Sequence, residues 1–204
     1  DEYVMGSLKE FKGVKFICVS KEGLDFNDSE SDKAQFESIQ KEYQHVCKKV
    51  HEVLGEKTVQ KVIISNRLTD TPCILTTSQF GWTANMERIL KAQALHHDMM
   101  ASQMTANRIL ELNYNHRLIK NLKMKIEQDE QQPVIPNMVY LMYETSLLSS
   151  GFTLNNTSLY AYKITELLEL AVGLKPRALE TPMSTPENSN SLTDNQDQEE
   201  TEET

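Results

Sequence analysis

Two segments near the end of this 204-residue chain constrain its fold more than any other part. The first runs from about Val134 to Ser149, with Pro136 acceptable only in a first helical turn and Gly151 closing the segment. Met138, Leu141, Met142, Thr145 and Leu148 trace one face of that helix, and Val139, Tyr140, Tyr143 and Leu147 cover much of the rest. The second runs from about Thr157 to Val172, capped by Asn155 or Asn156 and stopped by Gly173 and Pro176. Tyr160, Ile164, Leu167, Leu168 and Ala171 form its stripe, widened by Leu159, Tyr162 and Leu170. A helix apolar over so much of its circumference has to be covered on more than one side. Five large apolar side chains left in water would forgo roughly 8–15 kcal/mol, which rivals the stability of a whole domain. Two arrangements meet that demand. Both helices can pack on their own domain, or an antiparallel pair from each of two chains can close into a two-fold four-helix bundle.

The chain before them alternates in character. Val14 to Val19 predicts a short buried strand after Gly13. A polar loop, Asn27 to Ser31, leads into a helix reaching about Leu54, with Phe36, Ile39, Tyr43, Val46, Cys47, Val50 and Val53 at three-and-four spacing. Gly55 follows as a left-handed cap residue. Val59 to Ser65 and Cys73 to Thr77 predict two β-branched strands, Ile109 to Leu112 another, and Asn115 to Gln128 a further helix. The expectation is an α+β fold: a small, mainly three-stranded sheet packed with helices and ending in the two-helix hairpin. Residues 1–174 make one domain, and the Pro-, Ser-, Thr- and Glu-rich residues 175–204 a disordered acidic tail.

Charge divides along the same line. Of the net charge of −9, the eight acidic residues between Leu179 and Thr204, with no basic residue among them, leave only −1 for the body. No concentrated basic surface points to nucleic acid, and no apolar run reaches the roughly 20 residues that span a bilayer. With neither an initiator methionine nor a signal peptide, the sequence reads as a piece of something longer. Cys18, Cys47 and Cys73 have no paired spacing and read as reduced thiols, Cys73 in the core. Cys47 and His51, four apart on a helix, make half a metal site with no second half in view, so no metal is expected. No phosphate loop, nucleophile elbow or zinc-hydrolase motif occurs, and no catalytic residue is assigned.

The remaining feature is the run Gln79-Phe80-Gly81-Trp82-Thr83-Ala84-Asn85-Met86-Glu87-Arg88-Ile89, continuing to Leu95. Gly81 lets the backbone turn, Thr83 is a candidate N-cap, and Met86, Ile89, Leu90 and Ala94 share one helical face. After it, His96 and His97 read as solvated, and Met99, Met100 and Met104 are either core filling or an adaptable apolar surface. Phe80 to Ile89 with Lys91 to Leu95, and Tyr143 to Phe152 further on, resemble two signatures of the ninety-kilodalton heat-shock chaperone family, in its C-terminal dimerisation domain.

That resemblance, running from Asp1 to about Leu174, implies a homodimer held by the last two helices through Leu141, Met142, Leu148, Tyr160, Ile164, Leu167, Leu168 and Ala171. It implies an apolar cleft for non-native client proteins, lined by Phe80, Trp82, Met86, Met99, Met100 and Met104. The family's usual arginine and aspartate after the central helix are His96 and His97 here, and its usual lysine pair falls at Asn107 and Arg108. The family's ATP and magnesium belong to its N-terminal and middle regions, so no cofactor and no catalysis are expected of this chain. Tetratricopeptide-repeat cochaperones would bind only if the family's C-terminal pentapeptide followed Thr204. Without a Lys-Asp-Glu-Leu signal the expected location is the cytoplasm. The alternative is a purely structural dimer clamp with no client contacts of its own.

Overall fold

The computed structural model describes residues 8, 10–23, 30–79, 81–92, 107–154 and 156–174. Phe80, Met99, Met100, Met104, both histidines at 96 and 97, and the acidic tail lie outside the described residues. The chain divides after Lys163 into a larger unit and a second one that begins at Ile164.

The larger unit is built on a three-stranded sheet. β3 (Lys61–Ser65) and β4 (Cys73–Thr77) are neighbours in sequence but not in the sheet, because β5 (Arg108–Asn113) lies between them. β5 runs parallel to β3, with Val62 opposite Leu110, and antiparallel to β4, with Leu75 opposite Leu110. Residues alternate between the two faces of a strand. Val62, Ile64, Cys73, Leu75, Leu110 and Leu112 therefore share one face, and all six belong to the main core.

Helices cover that face. α1 (Glu30–Leu54) contributes Tyr43, Val46, Val50 and Leu54, the positions its three-and-four apolar spacing brings to one side. Gly55 ends it at φ +78°, a left-handed conformation that only glycine enters without strain, and its amide returns to His51 O at 2.8 Å. α3 (Arg117–Gln128) buries Ile119, Leu122 and Ile126 and is capped by His116, whose Nδ1 accepts from the Leu118 amide at 3.1 Å. α4 (Val134–Ser149) buries Ile135, Val139, Met142, Tyr143, Ser146 and Leu147. α2 (Ala84–Ala92) is described below, and α5 (Thr157–Ala171) starts at Asn156, whose Oδ1 accepts from the Leu159 amide at 2.9 Å. In the second unit the end of α5 closes with the Leu174 amide on Glu169 O at 2.9 Å.

One expectation needs correction. Val14 to Val19 is not a buried strand. β1 (Glu10–Phe11) and β2 (Val14–Lys15) form a two-residue hairpin turned by Lys12 and Gly13, both at positive φ. Phe11, Val14, Phe16, Ile17 and Val19 stay exposed, since no described element covers them. The segment joins the sheet only beyond that point, through a bridge from Lys21 to Thr77. On α4 the buried side chains include Val139, Tyr143 and Leu147 together with Met142, while Leu141 and Leu148 lie outside the buried set. The Gly81 amide donates to Ser78 O at 3.0 Å. A Cβ there would stand 2.9 Å from Thr77 Cβ and 3.3 Å from Ser78 N, so glycine is required by close approach.

Candidate functional site

α2 carries most of the chemistry that can be located. Thr83 caps it: Thr83 Oγ1 accepts from the Met86 amide at 3.4 Å, and Thr83 O from the Glu87 amide at 2.9 Å. Trp82 and Met86, two of the expected client contacts, are half-buried at the start of this helix. Ile89 is exposed. Glu87 points the other way. Its Oε2 accepts from Arg108 Nη2 at 2.8 Å, and Arg108 is only 2% exposed at the head of β5. The same guanidinium donates to Tyr143 Oη at 3.3 Å and stacks 4.6 Å from the centre of the Phe152 ring. A buried charge is tolerated only when paired, and this one ties α2, the central strand and α4 together.

A second buried pair sits on the opposite face of β5. Arg67 grips Glu111 with two bonds of 2.7 Å, and Glu111 also accepts from Thr76 Oγ1 at 2.9 Å. Arg67 Nη1 reaches Val19 O at 3.0 Å and so fixes the incoming segment. Sequence reading missed both pairs. Their partners are 21 and 44 residues apart, and the one available signal was a pair of charges, Arg108 and Glu111, within an otherwise apolar strand.

The expected dimer residues divide. Met142 is 5% exposed and packs in the chain's own core. Leu141 is half-buried, and Leu148 is exposed. Tyr160 is half-buried, with its hydroxyl 3.5 Å from Thr145 Oγ1. Ile164 is half-buried, Ala171 and Leu167 are exposed, and Leu168 is 62% exposed. Leu159, Tyr162 and Leu170 are exposed too. The one side chain α5 buries is Lys163, whose ammonium lies 4.9 Å above the Tyr140 ring. Nearby, burial raises the Glu144 carboxyl above the usual carboxylate range while Lys163 pulls it down.

Two of the three thiols, Cys73 and Cys47, are unreactive in character. Cys73 is buried with its Sγ 2.9 Å from Ser146 Oγ, and burial pushes its thiol up to about 11. Burial pushes Cys47 up to about 12. Among the described residues no group of three or more His, Cys, Asp or Glu side chains could hold a metal ion, and no helix is long and apolar enough to cross a membrane.

Comparison with known proteins gives this arrangement its class. Residues 1–203 match the family model described as Hsp90 protein. The chain belongs to that family of heat-shock chaperones. It is 42% identical over 174 residues to "Heat shock protein 83" of Leishmania donovani, covering 85% of this chain and 38% of that protein. It is 40% identical over 173 residues to "Putative heat shock protein HSP 90-beta-3" of Homo sapiens, covering 85% of this chain and 29% of that one. The chain thus spans about a third of the length of these relatives.

Proposed function

We propose that this chain is the C-terminal dimerisation domain of an ATP-dependent chaperone, that it joins two protomers through α4 and α5, and that it presents an apolar surface to non-native client proteins. The observation that carries the reading is the exposure of Leu148, Leu159, Leu167, Leu168 and Leu170 on two helices whose polar content cannot explain it. Covering side chains of this size, already about half buried, yields roughly 4–7 kcal/mol per protomer. Exposed apolar area on this scale marks an interaction surface. A two-fold pairing covers the same side chains on both partners at once.

Trp82 and Met86 support the client half of the reading, as a large aromatic beside a pliable thioether binds varied apolar segments. On this reading the chain performs no catalysis itself, nucleotide is handled by other parts of the full-length protein, and the protein works in the cytoplasm. The test is sedimentation equilibrium across a wide concentration range for the parent and for Leu168→Glu with Leu148→Glu. The parent should dimerise, and the double variant should remain folded and monomeric. A parent that is monomeric and folded at high concentration overturns the proposal.

A further inference from the structure

A recess of about 220 Å³ opens where the Val19–Ser20 segment, β4, the N-terminal turn of α2 and the Ser150–Phe152 turn meet. The volume exceeds the roughly 150 Å³ that admits a benzene ring but falls below the range of cofactor sites, so it suits one side chain. Val19, Ile74, Leu75, Ala84 and Phe152 give it an apolar lining, and Ser20, Thr83, Asn85, Arg88 and Ser150 add polar groups. Two of the hydroxyls at its edge are already engaged. Thr83 Oγ1 accepts from the Met86 amide, and Ser150 Oγ accepts from the Leu75 amide at 3.3 Å.

The lining holds one charge, Arg88, which is exposed. Its guanidinium touches Asn85 Oδ1 at 3.4 Å and forms no ion pair among the described residues. The two buried or half-buried arginines of the body are each matched to a glutamate, Arg67 to Glu111 and Arg108 to Glu87, whereas the exposed Arg88 and Arg117 form no ion pair among the described residues. An apolar recess with one unmatched cation at its rim is complementary to an apolar side chain with an adjacent anion.

We propose that this recess is a peptide-docking pocket that receives a leucine-sized side chain from a partner segment carrying a carboxylate next to it, the carboxylate pairing with Arg88. The pocket lies on the opposite side of α2 from Met86, because residues 84 and 88 are one helical turn apart and residue 86 is half a turn away. It is therefore separate from the surface through Trp82 and Met86, and it needs neither dimerisation nor that surface in order to hold.

The test is fluorescence anisotropy with short, end-blocked, labelled peptides carrying Leu-Asp, Leu-Asn or Ala-Asp at their centre. Leu-Asp should bind best, Leu-Asn up to about fivefold more weakly as for an exposed ion pair, and Ala-Asp about tenfold more weakly. Arg88→Glu should abolish the preference for Leu-Asp over Leu-Asn, and Val19→Asp should weaken all three peptides. Both positions are solvent-exposed, and circular dichroism checks the fold of each variant. Equal binding of the three peptides, or a preference for Asp that survives Arg88→Glu, overturns the proposal. If the two variants instead lower self-association in sedimentation while leaving peptide binding unchanged, the recess is a contact between copies and the proposal also fails. The Leu168 and Leu148 variants tested above should leave these peptide affinities unchanged, which keeps a failure here distinct from a failure of the dimer.

Discussion

Glu87→Ala leaves Arg108 as a buried cation without its carboxylate. The guanidinium would keep only the Tyr143 hydroxyl at 3.3 Å and the face of Phe152 at 4.6 Å. Neither replaces a full negative charge at 2.8 Å, and at 2% exposure water cannot reach in as a substitute. Breaking such a pair from one side costs about 3–5 kcal/mol. For a body of this size that corresponds to a fall of about 6–20 °C in Tm. Replacing both members with apolar residues of similar volume, Glu87→Leu with Arg108→Met, removes the stranded charge along with its partner. The double variant should therefore lie within about 1 kcal/mol of the parent. The assay is urea unfolding followed by circular dichroism and by fluorescence of Trp82, at one fixed protein concentration so that any self-association contributes equally. The single variants Glu87→Leu and Arg108→Met complete the double-mutant cycle. A loss under 1 kcal/mol for Glu87→Ala, or single losses that simply add in the double variant, would refute the assignment of this pair as the tie between α2 and the sheet.

Gly81→Ala should destabilise by about 1–3 kcal/mol in the same urea assay, since the added methyl meets Thr77 Cβ at 2.9 Å and backbone at 3.3 Å; a neutral result means the segment shifts freely. At pH 8 a thiol titrating at about 11 is only about one part in a thousand thiolate, so Cys73 and Cys47 should resist a thiol-specific reagent until the chain unfolds, whereas the half-buried Cys18 reacts in the native state. Mass spectrometry of peptides after a short labelling pulse reads this directly. Glu144 carries a raised pKa, so its ionised form is disfavoured in the folded chain and its destabilising contribution grows as pH rises through the folded value. Glu144→Gln should accordingly gain stability relative to the parent at pH 7 and lose that advantage as the pH falls toward the ordinary carboxylate range. A difference that is flat with pH would contradict it.

Local rules carried the sequence reading where a residue's surroundings are its own neighbours. The inner face of α1, the left-handed Gly55, the Thr83 cap and the limits of β4 all follow from spacing and backbone chemistry within one turn or one strand. The reading failed where the deciding contact is distant. Val14 to Val19 has the composition of a buried strand, yet nothing described covers it, because burial depends on a partner the pattern does not contain. Arg108 fell just outside the strand expected from Ile109 and is among the least exposed residues, since only the sheet order places it beside Glu87. On α4 both sides are apolar enough to face inward, so periodicity could not choose between the Met138–Leu141 side and the Val139–Tyr143 side. Met142 serves the core for that reason, while Leu148 stays outside.

The order of strands in the sheet also sets a schedule for synthesis. β3 and β4 leave the ribosome one after the other, but neither can hydrogen-bond to the other across the slot reserved for β5. Translation must add the whole stretch from Thr77 to Arg108 before the slot begins to fill, which takes about two to six seconds at about 5–20 residues per second. During that pause two β-branched strand edges are unpaired in a nascent chain, so a protein that belongs to the chaperones passes through an interval in which it would itself profit from one.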